Sequence, residues 1–126
     1  MKVTFCCTNT EAGPWLQGFS AALQDIDGGV EISAWQPGAP QADYAVVWGP
    51  PQQFIDEQPS LKAMFNIGAG VDRLLALRLP PALPVVRVDD GGMAVQMAEY
   101  VSQAVIRHFR SLDEYEARMR AGRWSY

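Results

Sequence analysis

Apolar positions along this chain follow two periods, one of short continuous or alternating runs and one of helical stripes. Lys2 to Cys7, rich in Val, Phe and Cys, predicts a first strand. The polar loop Thr8 to Pro14 follows. Trp15, Phe19, Ala22 and Leu23 then recur at helical spacing, with Pro14 suited to the first turn and Asp27-Gly28-Gly29 ending the helix. Val30 to Trp35 alternates apolar and polar residues, as an edge strand with one wet side does. Gln36 to Gln41, with Pro37, Gly38 and Pro40, is a loop. Tyr44 to Trp48 predicts a buried strand stopped by Gly49-Pro50-Pro51. A short helix over about Gln52 to Gln58 precedes the apolar run Ala63 to Ile67, expected as a strand covered on both faces. A helix from Val71 to about Leu77, closed by Pro80-Pro81, leads to a last strand at Val85 to Val88 and a turn at Asp89 to Gly92. From Met93 to about Ala121 the pattern is that of one long helix. Met93, Met97, Tyr100, Val101, Ala104, Val105, Phe109, Leu112 and Met119 form its stripe, and Gly122 its stop.

Five strands alternating with helices predict an α/β domain with a parallel sheet and right-handed crossovers. At this size a flavodoxin-like three-layer arrangement with strand order 2-1-3-4-5, extended by the long C-terminal helix, is expected. Ligands in such sheets bind beyond the carboxyl ends of the strands. Four loops fall on that edge: Thr8 to Gly13, Trp48 to Pro51, Gly68 to Asp72 and Asp89 to Met93.

With 126 residues the chain has the length of one domain, and its net charge of −4 with no basic run argues against a nucleic-acid partner. No apolar run approaches the roughly 20 residues a membrane span needs. The N-terminus is too short in its apolar run for a signal peptide, so the cytoplasm is the expected location. Cys6 and Cys7 are adjacent and lack acidic or histidine neighbours, so they read as small apolar fillers, with no metal site expected.

The chemistry concentrates at Gly68-Ala69-Gly70, between a strand and a helix. A dinucleotide loop G-x-G-x-x-G would need glycine where Arg73 stands. Two readings remain, a plain tight turn and an anion-binding turn whose main-chain N–H groups face a carboxylate or phosphate, aided by the helix beginning near Val71. Thr8-Asn9-Thr10 lacks the glycine of a flavin phosphate loop. Asp89 and Asp90 lack the earlier acidic partners of a phospho-acceptor cluster, with only Glu11 available. His108 is the single histidine and has no nucleophile to pair with. Glu99 reads as a solvated helix residue. Trp48 suits either core or pocket wall, and Trp124, past the helix stop, suits a partner surface.

The stretch Leu61 to Leu75, including Asn66-Ile67-Gly68-Ala69-Gly70-Val71-Asp72, resembles the substrate-loop signature of the D-isomer-specific 2-hydroxyacid dehydrogenases. The resemblance is nearest to their glyoxylate/hydroxypyruvate reductase A branch. Three more matches run in the same order: Ala42 to Trp48 with Pro50-Pro51; Asp90-Gly91-Gly92-Met93 with Gln96 to Tyr100; and Arg107-His108-Phe109-Arg110. The resemblance implies an NADPH- or NADH-dependent reductase of small 2-oxo acids, of which this chain is the flavodoxin-like, substrate-binding part. It implies that amides of Ala69 and Gly70, in the turn opened by Gly68, hold the substrate carboxylate, with Trp48 and Met93 as pocket walls. Many relatives carry Asn where Met93 stands. The catalytic Arg, Glu and His and the nucleotide loop are expected in a following domain, so no catalytic or cofactor-binding residue is expected here and the chain alone is expected to be inactive. The implied division is 1–92 as substrate-binding domain, 93–121 as an interdomain helix that also forms a homodimer, and 122–126 as the start of a linker. A stand-alone small-anion-binding or dimerisation module without catalysis is the alternative.

Overall fold

The computed structural model of the chain describes residues 1–8 and 11–124. The flavin-loop reading at Asn9-Thr10 and the linker residues Ser125 and Tyr126 lie outside the described residues. The chain forms two compact units, Met1–Asp89 and Asp90–Tyr126.

The first unit holds five strands, β1 (Lys2–Cys7), β2 (Glu31–Ala34), β3 (Tyr44–Trp48), β4 (Ala63–Asn66) and β5 (Val85–Arg87), and three helices, α1 (Ala12–Ile26), α2 (Gln52–Glu57) and α3 (Asp72–Leu75). All strands are parallel, in the order β2-β1-β3-β4-β5, as the alternation of strands and helices predicts. The ladder sets Val47 beside both Cys6 and Asn66, which brings the carboxyl ends of β1, β3 and β4 to one edge.

Side-chain alternation assigns the two faces. Cys6, Ala45, Val47 and Met64 point to one face and form the core with Phe54 and Ile55 of α2 and Leu74 of α3. On the opposite face Phe5 meets Trp15 and Phe19 of α1, at ring-centroid distances of 6.4 and 6.1 Å. α1 packs on β1 and β2. Beyond it, Tyr44, Val46, Phe65, Val86 and Val88 line an apolar groove of about 750 Å³. Phe65 is 41% exposed, which corrects the expectation that β4 is covered on both faces. The cause is topological: α2 and α3 both lie on the Met64 side, and α1 reaches only the β1–β2 end.

The second unit holds α4 (Met93–Phe109) and α5 (Leu112–Arg120). The continuous pattern over 93–121 is thus divided at Arg110-Ser111. Ser111 adopts a left-handed backbone (φ 49°, ψ 40°), and its carbonyl accepts from the N–H groups of Glu114 and Tyr115. Arg107 spans the corner, donating to both carboxylate oxygens of Glu116 at 2.8 Å and pairing with Asp113. A fork-shaped guanidinium on a carboxylate is a strong, directional contact, and it holds α5 out of line with α4. Apolar periodicity carries across such a corner, which is why the stripe alone read as one helix. Gly122 (φ 63°) ends α5 as expected: its N–H bonds Met119 O and that of Arg123 bonds Arg118 O, the Schellman pattern.

Cys6 is buried in the core, and burial, with Cys7 beside it, pushes its thiol pKa up from 9.0 to about 12. A neutral buried thiol is a poor nucleophile. Since the unfolded chain ionises near pH 9 and the folded one does not, this stability is present below pH 9 and is lost as pH rises towards 12. Cys6→Ala is therefore expected to flatten the decline of the denaturant midpoint between about pH 9 and 11, measured against the unsubstituted chain.

Candidate functional site

At the carboxyl edge of the sheet, β4 ends at Asn66 and the chain turns through Gly68-Ala69-Gly70 into α3. α3 is a single turn, and Asp72 sits in it as an acidic residue. The helix expected over Val71 to Leu77 is thus too short to supply a useful dipole, and any anion preference has to come from the turn itself.

The turn's carbonyls are all engaged by side chains. Nδ2 of Asn66 donates to Gly68 O at 2.7 Å and to Gly70 O at 2.9 Å. Nη1 of Arg87, at the end of β5, donates to Ala69 O at 3.2 Å, while its Nη2 donates to Asp89 at 3.0 Å. Among the described residues nothing accepts from the N–H groups of Ala69 and Gly70. Three carbonyls are tied into the protein, and the neighbouring amide donors are left for something else.

Gly68 and Gly70 do not take a positive φ; what matters at Gly68 is the missing Cβ. Gly68 is required by packing. A Cβ built there would run into the Trp48 ring, 2.7 Å from Cη2 and into Cζ3. Trp48 is half-buried, lies against the turn at Gly68, and lines a cleft of about 280 Å³ together with Gly49, Asn66, Gly70, Asp72 and Arg73. Gly49 does take a left-handed backbone (φ 59°), and Thr8 donates its hydroxyl to Gly49 O at 2.9 Å. A Cβ on Gly49 would lie 3.2 Å from Thr8 Oγ1 and 3.5 Å from Arg73 Nη1. Arg73, which spoils a dinucleotide loop, thus lies beside the β3 turn.

The larger apolar groove on the sheet face offers few polar groups, whereas a carboxylate requires donors. The smaller cleft beside the turn is therefore the candidate site. Of the sequence-predicted residues it is lined by Gly70 and Trp48, while Gly68 and Ala69 lie in the same turn. Met93 is the first residue of α4, in the second unit. His108, also on α4, is exposed and packs edge-on against Phe109 at 5.6 Å, in keeping with a bland role. Trp124 is 88% exposed. No group of His, Cys, Asp and Glu among the described residues could hold a metal ion, and no described helix is long and apolar enough to cross a membrane.

Sequence reasoning did not single out Asn66 or Arg87. The one available signal was a lone amide residue inside the otherwise apolar run Ala63 to Ile67, two residues before Gly68. On the core-facing side of a strand, such a residue needs hydrogen-bond partners.

No protein-family model matches the chain. It is 39% identical to glyoxylate/hydroxypyruvate reductase A of Yersinia enterocolitica over 131 aligned residues, which cover 98% of this chain and 41% of that protein. The protein of the same name from Klebsiella pneumoniae strain 342 is 43% identical, with coverage of 98% and 40%. Among solved structures, a D-isomer specific 2-hydroxyacid dehydrogenase from Xanthobacter autotrophicus Py2, in complex with NADPH and MES, superposes with a TM-score of 0.69 at 33% identity. It covers 98% of this chain and 41% of its own. An NADPH-dependent glyoxylate/hydroxypyruvate reductase from Sinorhizobium meliloti, in complex with NADP and sulfate, gives 0.69 at 28% identity, with coverage of 99% and 40%. The chain spans about two fifths of the length of these relatives.

Gly68→Ala forces its methyl into the Trp48 ring. It is expected to destabilise the first unit by about 1–3 kcal/mol, the usual cost of overpacking. In Trp48→Ala the same substitution is expected to cost far less, and a double-mutant cycle on denaturant unfolding measures the difference.

Proposed function

As a homologue of part of the glyoxylate/hydroxypyruvate reductase A proteins and of the D-isomer-specific 2-hydroxyacid dehydrogenases, the chain is, we propose, the substrate-binding part of an NADPH-dependent 2-oxo acid reductase. In this reading the carboxylate of glyoxylate or hydroxypyruvate accepts hydrogen bonds from the amides of Ala69 and Gly70, and Trp48 forms one wall of the pocket. The observation that carries it is that all three carbonyls of Gly68-Ala69-Gly70 are tied to Asn66 and Arg87 while those amides lack a partner among the described residues. Preorganised donors facing an anion bind it without reorganisation.

Nicotinamide binding is assigned to the remainder of a longer protein. The described residues do not fit the cofactor: Arg73 stands where a dinucleotide loop needs its third glycine, with its guanidinium beside Gly49. The part played by this chain is to bind and orient the oxo acid. The single histidine is on the second unit, and hydride transfer by the chain alone is not expected. Residues 1–92 form the substrate domain in this proposal, and 93–121 serve the junction to the second domain.

Titration with glyoxylate or oxalate, followed by amide NMR, tests the site. The amides of Ala69 and Gly70 are expected to move first and furthest; shifts confined to other loops would refute the assignment.

The same reading includes a homodimer formed through α4. Its support is the exposed row Met93, Met97, Tyr100, Val101, Val105 and Phe109, with Val95 and Ile106 also exposed on the same helix. Sedimentation velocity is expected to show a dimer at micromolar concentration that Val101→Asp converts to monomer. A monomeric parent chain would exclude this interface.

A further inference from the structure

We infer that Asn66 is a positioning residue for the substrate carboxylate: by holding the carbonyls of Gly68 and Gly70, it aims the Ala69 amide, one of the two that receive the anion, and braces the far end of the turn. The inference rests on the carboxylate-binding reading above and assigns a device to it.

Asn66 is 3% exposed, and by strand alternation it shares the face of Met64, which is fully buried in the core. An amide at such a position costs stability unless its hydrogen bonds are made. Both contacted atoms are carbonyl oxygens, which only accept, so the Asn66 NH₂ must face them, one hydrogen to each. The described peptide bonds are not cis. In a planar trans peptide the C=O of one residue and the N–H of the next point in opposite directions. Fixing Gly68 O therefore fixes the Ala69 N–H, and fixing Gly70 O fixes the Val71 N–H, both directed away from Asn66. Arg87 acts likewise on the peptide between them. Its bond to Ala69 O sets the Gly70 N–H.

The division of labour is specific. Asn66 controls the amides of Ala69 and Val71, and Arg87 that of Gly70. A short turn with two glycines has many backbone states open to it. Restricting them before the ligand arrives removes an ordering cost from binding.

Asn66→Leu keeps the bulk and removes both donors; Asn66→Ser keeps one short donor; Arg87→Met removes the other tie at an exposed site. In the ligand-free chain, Asn66→Leu is expected to move the Ala69 and Val71 amide resonances and largely spare Gly70, whereas Arg87→Met does the reverse. The oxalate Kd is expected to rise about tenfold or more in Asn66→Leu, equivalent to the loss of a hydrogen bond to a charged group, and less in Asn66→Ser. Resonances of Phe5 and Val47 report whether the sheet is intact. Should Asn66→Leu fail to fold, Asn66→Ser and Arg87→Met carry the same test. A folded Asn66→Leu or Asn66→Ser that binds oxalate within twofold of the parent overturns the inference while leaving the carboxylate site standing. If oxalate leaves Ala69 and Gly70 unmoved in the parent chain, the site reading itself fails and takes the inference with it.

Discussion

The site depends on the register between β3 and β4. Val47 lies beside Asn66, and the ladder continues one bond further, from the Ile67 N–H to Val47 O at 3.1 Å. That register brings Trp48, the last residue of β3, level with the turn that follows β4. The indole then lies where only a residue without Cβ can pass, at Gly68. A slip of one residue would turn Asn66 out of the core and separate Trp48 from the turn, because side chains alternate faces at every step. Packing, polar satisfaction and pocket shape all follow from this one pairing.

Around it the first unit is unequal in its two faces. The Met64 face is closed by α2 and α3 and is the core proper. The Phe65 face is closed by α1 only at the β1–β2 end, leaving Val86 and Val88 exposed. The rigid face carries Asn66 and Leu74, so the turn is anchored from the well-packed side. A binding loop set on a packed support is a common division between stability and function. The donors at Ala69 and Gly70 belong to backbone, whose position is set by neighbours rather than by its own side chains.

Much of the architecture was legible in the residues. Tyr44 to Trp48 is an unbroken apolar run bounded by Asp43 and Gly49-Pro50, and it forms a strand with those limits. Five such runs separated by helical or loop segments leave few topologies, and the observed strand order is the commonest of them. Boundaries moved where ends are set by long-range contacts. β4 stops at Asn66 because its side chain turns to hold the loop, and α3 stops after one turn. The stripe from Met93 to Met119 crosses Ser111 without a break in periodicity. The corner there is the left-handed backbone at Ser111, bridged by Arg107 reaching Glu116 and Asp113, features that an apolar pattern does not register.

The candidate site divides in the same way. Gly68-Ala69-Gly70 after an apolar strand, with Arg73 excluding a dinucleotide loop, was readable as a turn open to an anion, and Trp48 as a residue near it. Which carbonyls are tied, and by whom, was not readable. Arg87 stands 18 residues from Ala69 and meets it only because β5 pairs with β4. By itself the sequence pointed to the strand order, the sheet edge of the candidate site and the turn at that edge, since these follow from local periodicity and backbone chemistry. Only the tertiary structure decided that a Cβ at Gly68 would meet Trp48 and that Asn66 and Arg87 tie the turn's carbonyls, because those constraints arise between segments brought side by side by the sheet.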